Sequence, residues 1–275
     1  MLPRTIRALS IILLAATATV LGAQDWAKAR LDASPRHREY VNLKNHGRTV
    51  QAFVVYPEVK GKAPAVILIH EIFGLSDWAK EMADELAAQG VIVVAPDLLS
   101  GKGPKGGGSS EFATVDDAVK AVSMLDPDQV MSDLDAAADY ARKIPAFNGK
   151  LAVVGFCWGG SKSFAFAAHR KDLSAAYVFY GTAPADVSTI TAPVYGFYAG
   201  NDSRVGATVP GTVTAMKAAG KAYDPVTYDG AGHGFMRAGE APDANPGNKA
   251  AREEGFARLV KLLDELKTPS LSMTK

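Results

Sequence analysis

Residues 155–159 read Gly155-Phe156-Cys157-Trp158-Gly159, set between the apolar run Leu151-Ala152-Val153-Val154 and the segment Gly160-Ser161-Lys162-Ser163-Phe164-Ala165. No other stretch restricts the fold as much. A buried strand that turns at once into a helix forces the corner residue into a strained conformation, and glycines two positions to either side give the turn its room. Glycine, x, nucleophile, x, glycine is the nucleophile-elbow pattern, which lifts one side chain clear of the backbone at a strand end. Here that side chain belongs to Cys157, the one cysteine in 275 residues. A buried structural thiol is the plain alternative. Strand, both glycines and helix standing in order favour the reactive one.

A nucleophilic thiol needs a base, and the base needs an acid to orient it. The run Val194-Tyr195-Gly196-Phe197-Tyr198-Ala199 reads as a buried strand that empties into Gly200-Asn201-Asp202. Asp202 is thus expected on a loop at a strand's C-terminal end, with Asp186 and Asp229 as the competing acids. A second strand, Pro225-Val226-Thr227-Tyr228, leads to Asp229-Gly230-Ala231-Gly232-His233-Gly234-Phe235. His233 has glycines on both sides and no apolar periodicity around it, which is the setting of a catalytic histidine. His37, His46, His70 and His169 read as ordinary solvent-facing or core side chains. The chain order cysteine, acid, histidine is the α/β-hydrolase order. Glu71 follows the strand Ala65-Val66-Ile67-Leu68-Ile69, at the carboxyl-end crevice where open sheets bind ligands. Oxyanion stabilisation is expected from backbone N–H groups, that of Trp158 after the nucleophile and that of Ile72 on the earlier loop.

The rest alternates strand and helix without repeats, the pattern of a mostly parallel sheet covered on both faces. Residues 49–57 look like an early antiparallel strand. Trp78, Met82 and Leu86 recur at helical spacing and predict a helix over residues 76–89. Residues 91–95 predict a doubly buried strand, and residues 131–142 a helix. Phe256, Leu259, Val260, Leu263 and Leu266 form the inward stripe of a final helix. Residues 101–110, with their run of glycines, predict a flexible loop. Residues 24–48 carry many charges and no clear period, so an arm is expected there, and residues 267–275 read as a disordered tail.

In sequence order, Ile69-His70-Glu71-Ile72-Phe73-Gly74, Val94-Ala95-Pro96-Asp97-Leu98, residues 148–160, Phe179-Tyr180-Gly181, Asp202 and Gly232-His233-Gly234-Phe235 resemble the dienelactone hydrolase family. The resemblance runs from about Val50 to Leu266 and implies an α/β-hydrolase domain over residues 49–266. It implies a Cys157-His233-Asp202 triad, hydrolysis of small carboxylic esters or lactones through a thioester, and no cofactor. It also implies that Glu71 pairs with the resting thiol and helps create the thiolate when substrate binds. Phe73, Tyr180 and Arg237 are the positions it assigns to substrate. One family feature is missing. A second carboxylate-gripping arginine belongs after Asp97, yet residues 98–130 hold no arginine and only Lys102, Lys105 and Lys120 as cations. Lysine lacks the planar fork that grips a carboxylate.

The N-terminus reads as an address. Arg4 and Arg7 precede an apolar stretch ending at Leu21-Gly22-Ala23, too short for a comfortable membrane span, so residues 1–23 are expected to be a cleaved export signal. Cleavage leaves no stable membrane anchor, and changes the net charge from +1 to −1. An exported, periplasmic or secreted protein with one unpaired thiol fits a reactive cysteine. With no basic stripe, a nucleic-acid partner is not expected. No His, Cys and carboxylate grouping has metal-ligand spacing. The chain is expected to act as a monomer on a small-molecule ester or lactone. The alternative is a catalytically silent binding or scaffold protein that kept the fold. Thiol redox chemistry lacks a resolving cysteine.

Overall fold

The structure, a computed structural model, describes residues 24–267. The expected export signal (1–23) and residues 268–275 of the expected tail lie outside the described residues. In chain order the elements are α1 (Asp25–Ala33), β1 (Arg38–Asn45), β2 (Arg48–Val55), β3 (Ala63–Ile69), α2 (Asp77–Ala88), β4 (Ile92–Pro96), α3 (Val115–Ser123), α4 (Pro127–Lys143), β5 (Phe147–Phe156), α5 (Trp158–His169), β6 (Ala175–Phe179), β7 (Val194–Ala199), α6 (Ser203–Gly206), α7 (Val209–Ala218), β8 (Tyr223–Tyr228), α8 (Phe235–Ala238) and α9 (Pro246–Lys267). The strands form one sheet in the order β1-β2-β4-β3-β5-β6-β7-β8. The β1–β2 and β2–β4 pairs are antiparallel and all other pairs parallel.

Strand β3 is buried at every position, and its alternation explains why. Val66 and Leu68 belong to the core on one face, Ala65, Ile67 and Ile69 to the core on the other. Both faces are covered, so the strand can be apolar throughout. Helices α2 and α9 supply Trp78, Met82, Leu259 and Leu263 to the first core. Helices α4, α5 and α7 supply Leu134, Phe164 and Met216 to the second. Helix α2 starts where Ser76 caps it, its hydroxyl accepting from Ala79 N at 3.3 Å. It stops before Gly90, whose φ of +82 suits glycine. Among the described residues no helix is long and apolar enough to cross a membrane.

Three expectations change. Residues 24–48 are not a bare arm; they build α1, β1 and the start of β2. Helix α1 buries only Ala27 and Leu31 and docks by polar contacts instead. The Gln24 side chain accepts from Trp78 N at 3.1 Å, and downstream Arg36 reaches Asp84 at 2.6 Å. A helix held this way has no apolar stripe to read. Residue 267 closes α9 instead of opening a tail. The glycine-rich segment at 101–110 is anchored. Glu111 accepts from the amides of Lys105 and Gly107, both at 2.9 Å, and Asp97 accepts from Ser109 N at 2.7 Å.

Distant segments also meet in a charged cluster that no spacing could reveal. Glu81 and Glu85 of α2 and Glu240 after α8 bring carboxylate oxygens within 4.8 Å of one another. Arg30 of α1 reaches Glu240 at 3.1 Å, while Arg252 of α9 bonds both Glu240 and Glu85. Three acids face two guanidiniums, which leaves Glu81 with least support. Burial first, then the charges of Glu240 and Glu85, push its carboxyl from an ordinary 4.5 up to about 8. The folded state therefore holds a proton that the unfolded chain releases, and stability falls as pH rises from about 4.5 through about 8. We expect the Tm to drop between about pH 6 and about pH 9, and Glu81→Gln to drop less. Equal slopes in both proteins would remove Glu81 as the cause.

Candidate active site

The elbow forms as its glycines require. Cys157 stands between β5 and α5 at φ 57 and ψ −117, a strained conformation for any side chain. A Cβ on Gly155 would lie 1.9 Å from Gly159 O, and one on Gly159 would lie 2.4 Å from both Ile69 O and His70 O. Two further glycines contribute that the pattern does not name. Gly160 packs on Phe179 O, and Gly181 packs on the backbone at Gly160. Cys157 N donates to Phe179 O at 3.1 Å, tying the corner to β6.

Asp202 and His233 come from the ends of β7 and β8. Gly200 N donates to Tyr228 O at 2.8 Å and Asn201 N to Ala231 O at 2.9 Å, so the two loops are laced together. Asp202 caps α6, its Oδ1 accepting from Val205 N at 3.2 Å. Its Oδ2 is thereby aimed at His233 Nδ1, 2.5 Å away. Of the three candidate acids, Asp202 is the one that meets the histidine. Asn248 of α9 steadies the histidine loop by accepting from Gly232 N at 2.8 Å. With Nδ1 engaged, Nε2 is left to handle the proton of a nucleophile.

The backbone amides of Trp158 and Ile72 lie near enough to the Cys157 sulfur to favour its anion. Burial and the nearby Glu71 carboxylate outweigh them and push the thiol above its ordinary value, so at neutral pH it rests protonated. Glu71 is itself 2% exposed, and burial raises its carboxyl against the opposing pull of Arg237. Its hydrogen-bond partner is Arg237, Nε to Oε2 at 2.7 Å. Among the described residues no hydrogen bond joins Glu71 to the resting thiol; the two interact through charge alone. The Arg237 guanidinium lies 4.9 Å from the centre of the Phe73 ring, and the side chain stays 30% exposed.

One assignment to substrate is therefore narrowed and another changes. The resemblance turns Arg237 toward substrate, but its Nε is committed to Glu71, leaving the outer nitrogens of a partly exposed fork. Tyr180 is 1% exposed, with φ 40, and its ring meets His233 edge-on at 5.0 Å. It forms the wall behind His233 and presents no surface to a ligand. Phe73, half-buried against Arg237, keeps its place beside the site.

This constellation can be set beside known proteins. The model of the family described as "Dienelactone hydrolase family" matches residues 50–267. The chain belongs to the dienelactone hydrolase family. A relative from Methylorubrum extorquens is 32% identical over 235 residues, covering 80% of this chain and 78% of its own. Carboxymethylenebutenolidase of Pseudomonas putida is 30% identical over 205 residues, covering 72% of this chain and 86% of its own. A solved chain from Klebsiella pneumoniae superposes with a TM-score of 0.73 at 25% identity, covering 84% of this chain and 100% of its own. The fold is the α/β-hydrolase fold, and this dienelactone hydrolase family member is a carboxylic ester hydrolase.

Proposed function

We propose that this protein is an exported, cysteine-dependent hydrolase of small carboxylic esters or lactones. The observation that carries the reading is the His233–Asp202 bond of 2.5 Å, joined to an elbow that holds Cys157 at φ 57 between its glycines. In the first half-reaction the Cys157 proton passes to His233 Nε2 and the sulfur attacks the substrate carbonyl carbon. The amides of Ile72 and Trp158 receive the resulting oxyanion, each such donor contributing about 3–4 kcal/mol. The carbonyl re-forms, the alkoxide leaves with the proton from His233, and a thioester remains on Cys157. Water, deprotonated by His233, then releases the acid and regenerates the thiol. Burial, and after it the Glu71 carboxylate, keep the resting thiol neutral until His233 takes its proton.

Arg237 tests the substrate class. Its outer nitrogens can meet an anionic substrate by a charge-assisted bond of about 1.5–3 kcal/mol. Arg237→Ala should lower kcat/KM about tenfold on a neutral activated ester by leaving Glu71 unpaired, and about ten- to hundredfold further on a carboxylate-bearing one. Equal losses on both would confine Arg237 to holding Glu71. No turnover by wild type on any member of a panel of small activated esters and lactones would defeat the reading and favour a silent fold. Export rests on residues 1–23, and predicts a native chain beginning near Gln24 in the extracytoplasmic fraction; intact Met1 on a membrane-bound form would refute it.

A further inference from the structure

The peptide unit between Glu71 and Ile72 carries two groups at once. Its N–H is the Ile72 amide that favours the Cys157 thiolate. Its carbonyl, Glu71 O, points the opposite way, because a trans peptide is planar and sets C=O and N–H antiparallel. Whatever grips that oxygen also aims the amide.

His70 grips it. Nδ1 of His70 lies 2.7 Å from Glu71 O, and only a protonated nitrogen can face a carbonyl at that distance. The ring is fully buried, which favours the neutral form, so the proton is on Nδ1. Nε2 then has no hydrogen-bond partner among the described residues. A buried polar atom left so is costly and calls for a reason. The same ring stacks on the Trp158 indole, centroids 5.7 Å apart and planes 12° from parallel. One imidazole thus bonds the peptide that carries one amide and stacks on the side chain of the residue that carries the other. Gly74 N also donates to Glu71 O, at 3.2 Å, closing the local turn. The His70 contact is the shorter.

We propose that His70 is a positioning residue of the oxyanion hole, holding the Glu71–Ile72 peptide so that the Ile72 N–H points at the reacting atoms. The inference rests on the cysteine-hydrolase reading. It makes the donor at the δ position the essential feature, and three variants separate that from bulk. Asparagine places an amide N–H where Nδ1 stands, glutamine places it one bond further out, and leucine has none. Removing an oxyanion donor outright costs about 10²–10³ in kcat, and misdirecting one should cost about ten- to hundredfold. His70→Leu and His70→Gln should show that loss with KM unchanged, while His70→Asn stays within about threefold of wild type.

A second measurement needs no turnover. The pH midpoint of Cys157 alkylation by iodoacetamide should rise in His70→Leu and His70→Gln, which lose the aligned Ile72 amide, and stay put in His70→Asn. If His70→Leu does not fold, His70→Gln against His70→Asn decides. Unchanged kcat and midpoint in the Gln variant would show that Gly74 alone holds the peptide and overturn the proposal. So would losses in all three variants that track Tm. If wild type hydrolyses no ester but the midpoints shift as expected, the hydrolase reading fails and the positioning role stands.

Discussion

Cys157→Ala should abolish ester hydrolysis, lowering kcat on the order of 10⁴-fold or more while leaving the Tm close to wild type. Losing the nucleophile of a triad costs about that much or more, because base and acid then have nothing to activate. The small thermal effect follows from the site: the side chain is only partly buried and makes no hydrogen bond that the core depends on. As the sole thiol, Cys157 should take one iodoacetamide, and activity should vanish in proportion to label. Rapid quenching with a slow ester should trap an acyl group on the peptide containing Cys157. Full activity after stoichiometric labelling would end the thioester mechanism.

Gly155→Ala should damage the fold itself. The added Cβ would sit 1.9 Å from Gly159 O, and backbone cannot swing aside as a side-chain tip can. Strand β5 lies at the centre of the sheet and α5 is wedged against His70 O and Phe179 O, so neither half of the elbow has room to retreat. Overpacking of cores typically costs about 1–3 kcal/mol, and a clash between backbones belongs at or above that ceiling. We expect a loss of about 3 kcal/mol or more, or a Tm lower by roughly 10 °C. Gly206→Ala is the control, since its Cβ would meet nothing within 4 Å. A Gly155→Ala protein as stable as that control would mean that the elbow is looser than these contacts allow.

What can be read from sequence is what is local. Cys157 with its glycines is a five-residue statement, and β7 and β8 with their trailing Asp202 and His233 need only strand patterns and loop positions. Helix α2 is legible because Trp78, Met82 and Leu86 repeat on one face. Helix α1 is not, because it is fixed by Arg30, Gln24 and the nearby Arg36 pairing across space. The Glu71–Arg237 pair joins residues far apart in the chain, so each can be singled out but not their commitment to one another. Tyr180 is legible as part of a motif, but its burial behind His233 depends on the packing of Phe235 and on a positive φ that no neighbour announces. His70 looks ordinary for the same reason: its partner is a backbone oxygen, and backbone leaves no mark in a sequence.

The contact between Gly159 and the carbonyls of Ile69 and His70 has a wider consequence. Nucleophile and oxyanion loop touch main chain to main chain, with no side chain between them. Their separation is therefore set by the van der Waals contact of one backbone with another, not by the fit of replaceable groups. Residues lining the substrate can drift while the reacting geometry stays fixed, which suits a family whose members differ at most of their positions. The spacing of nucleophile and oxyanion loop belongs to the main chain, and selectivity to the side chains around it.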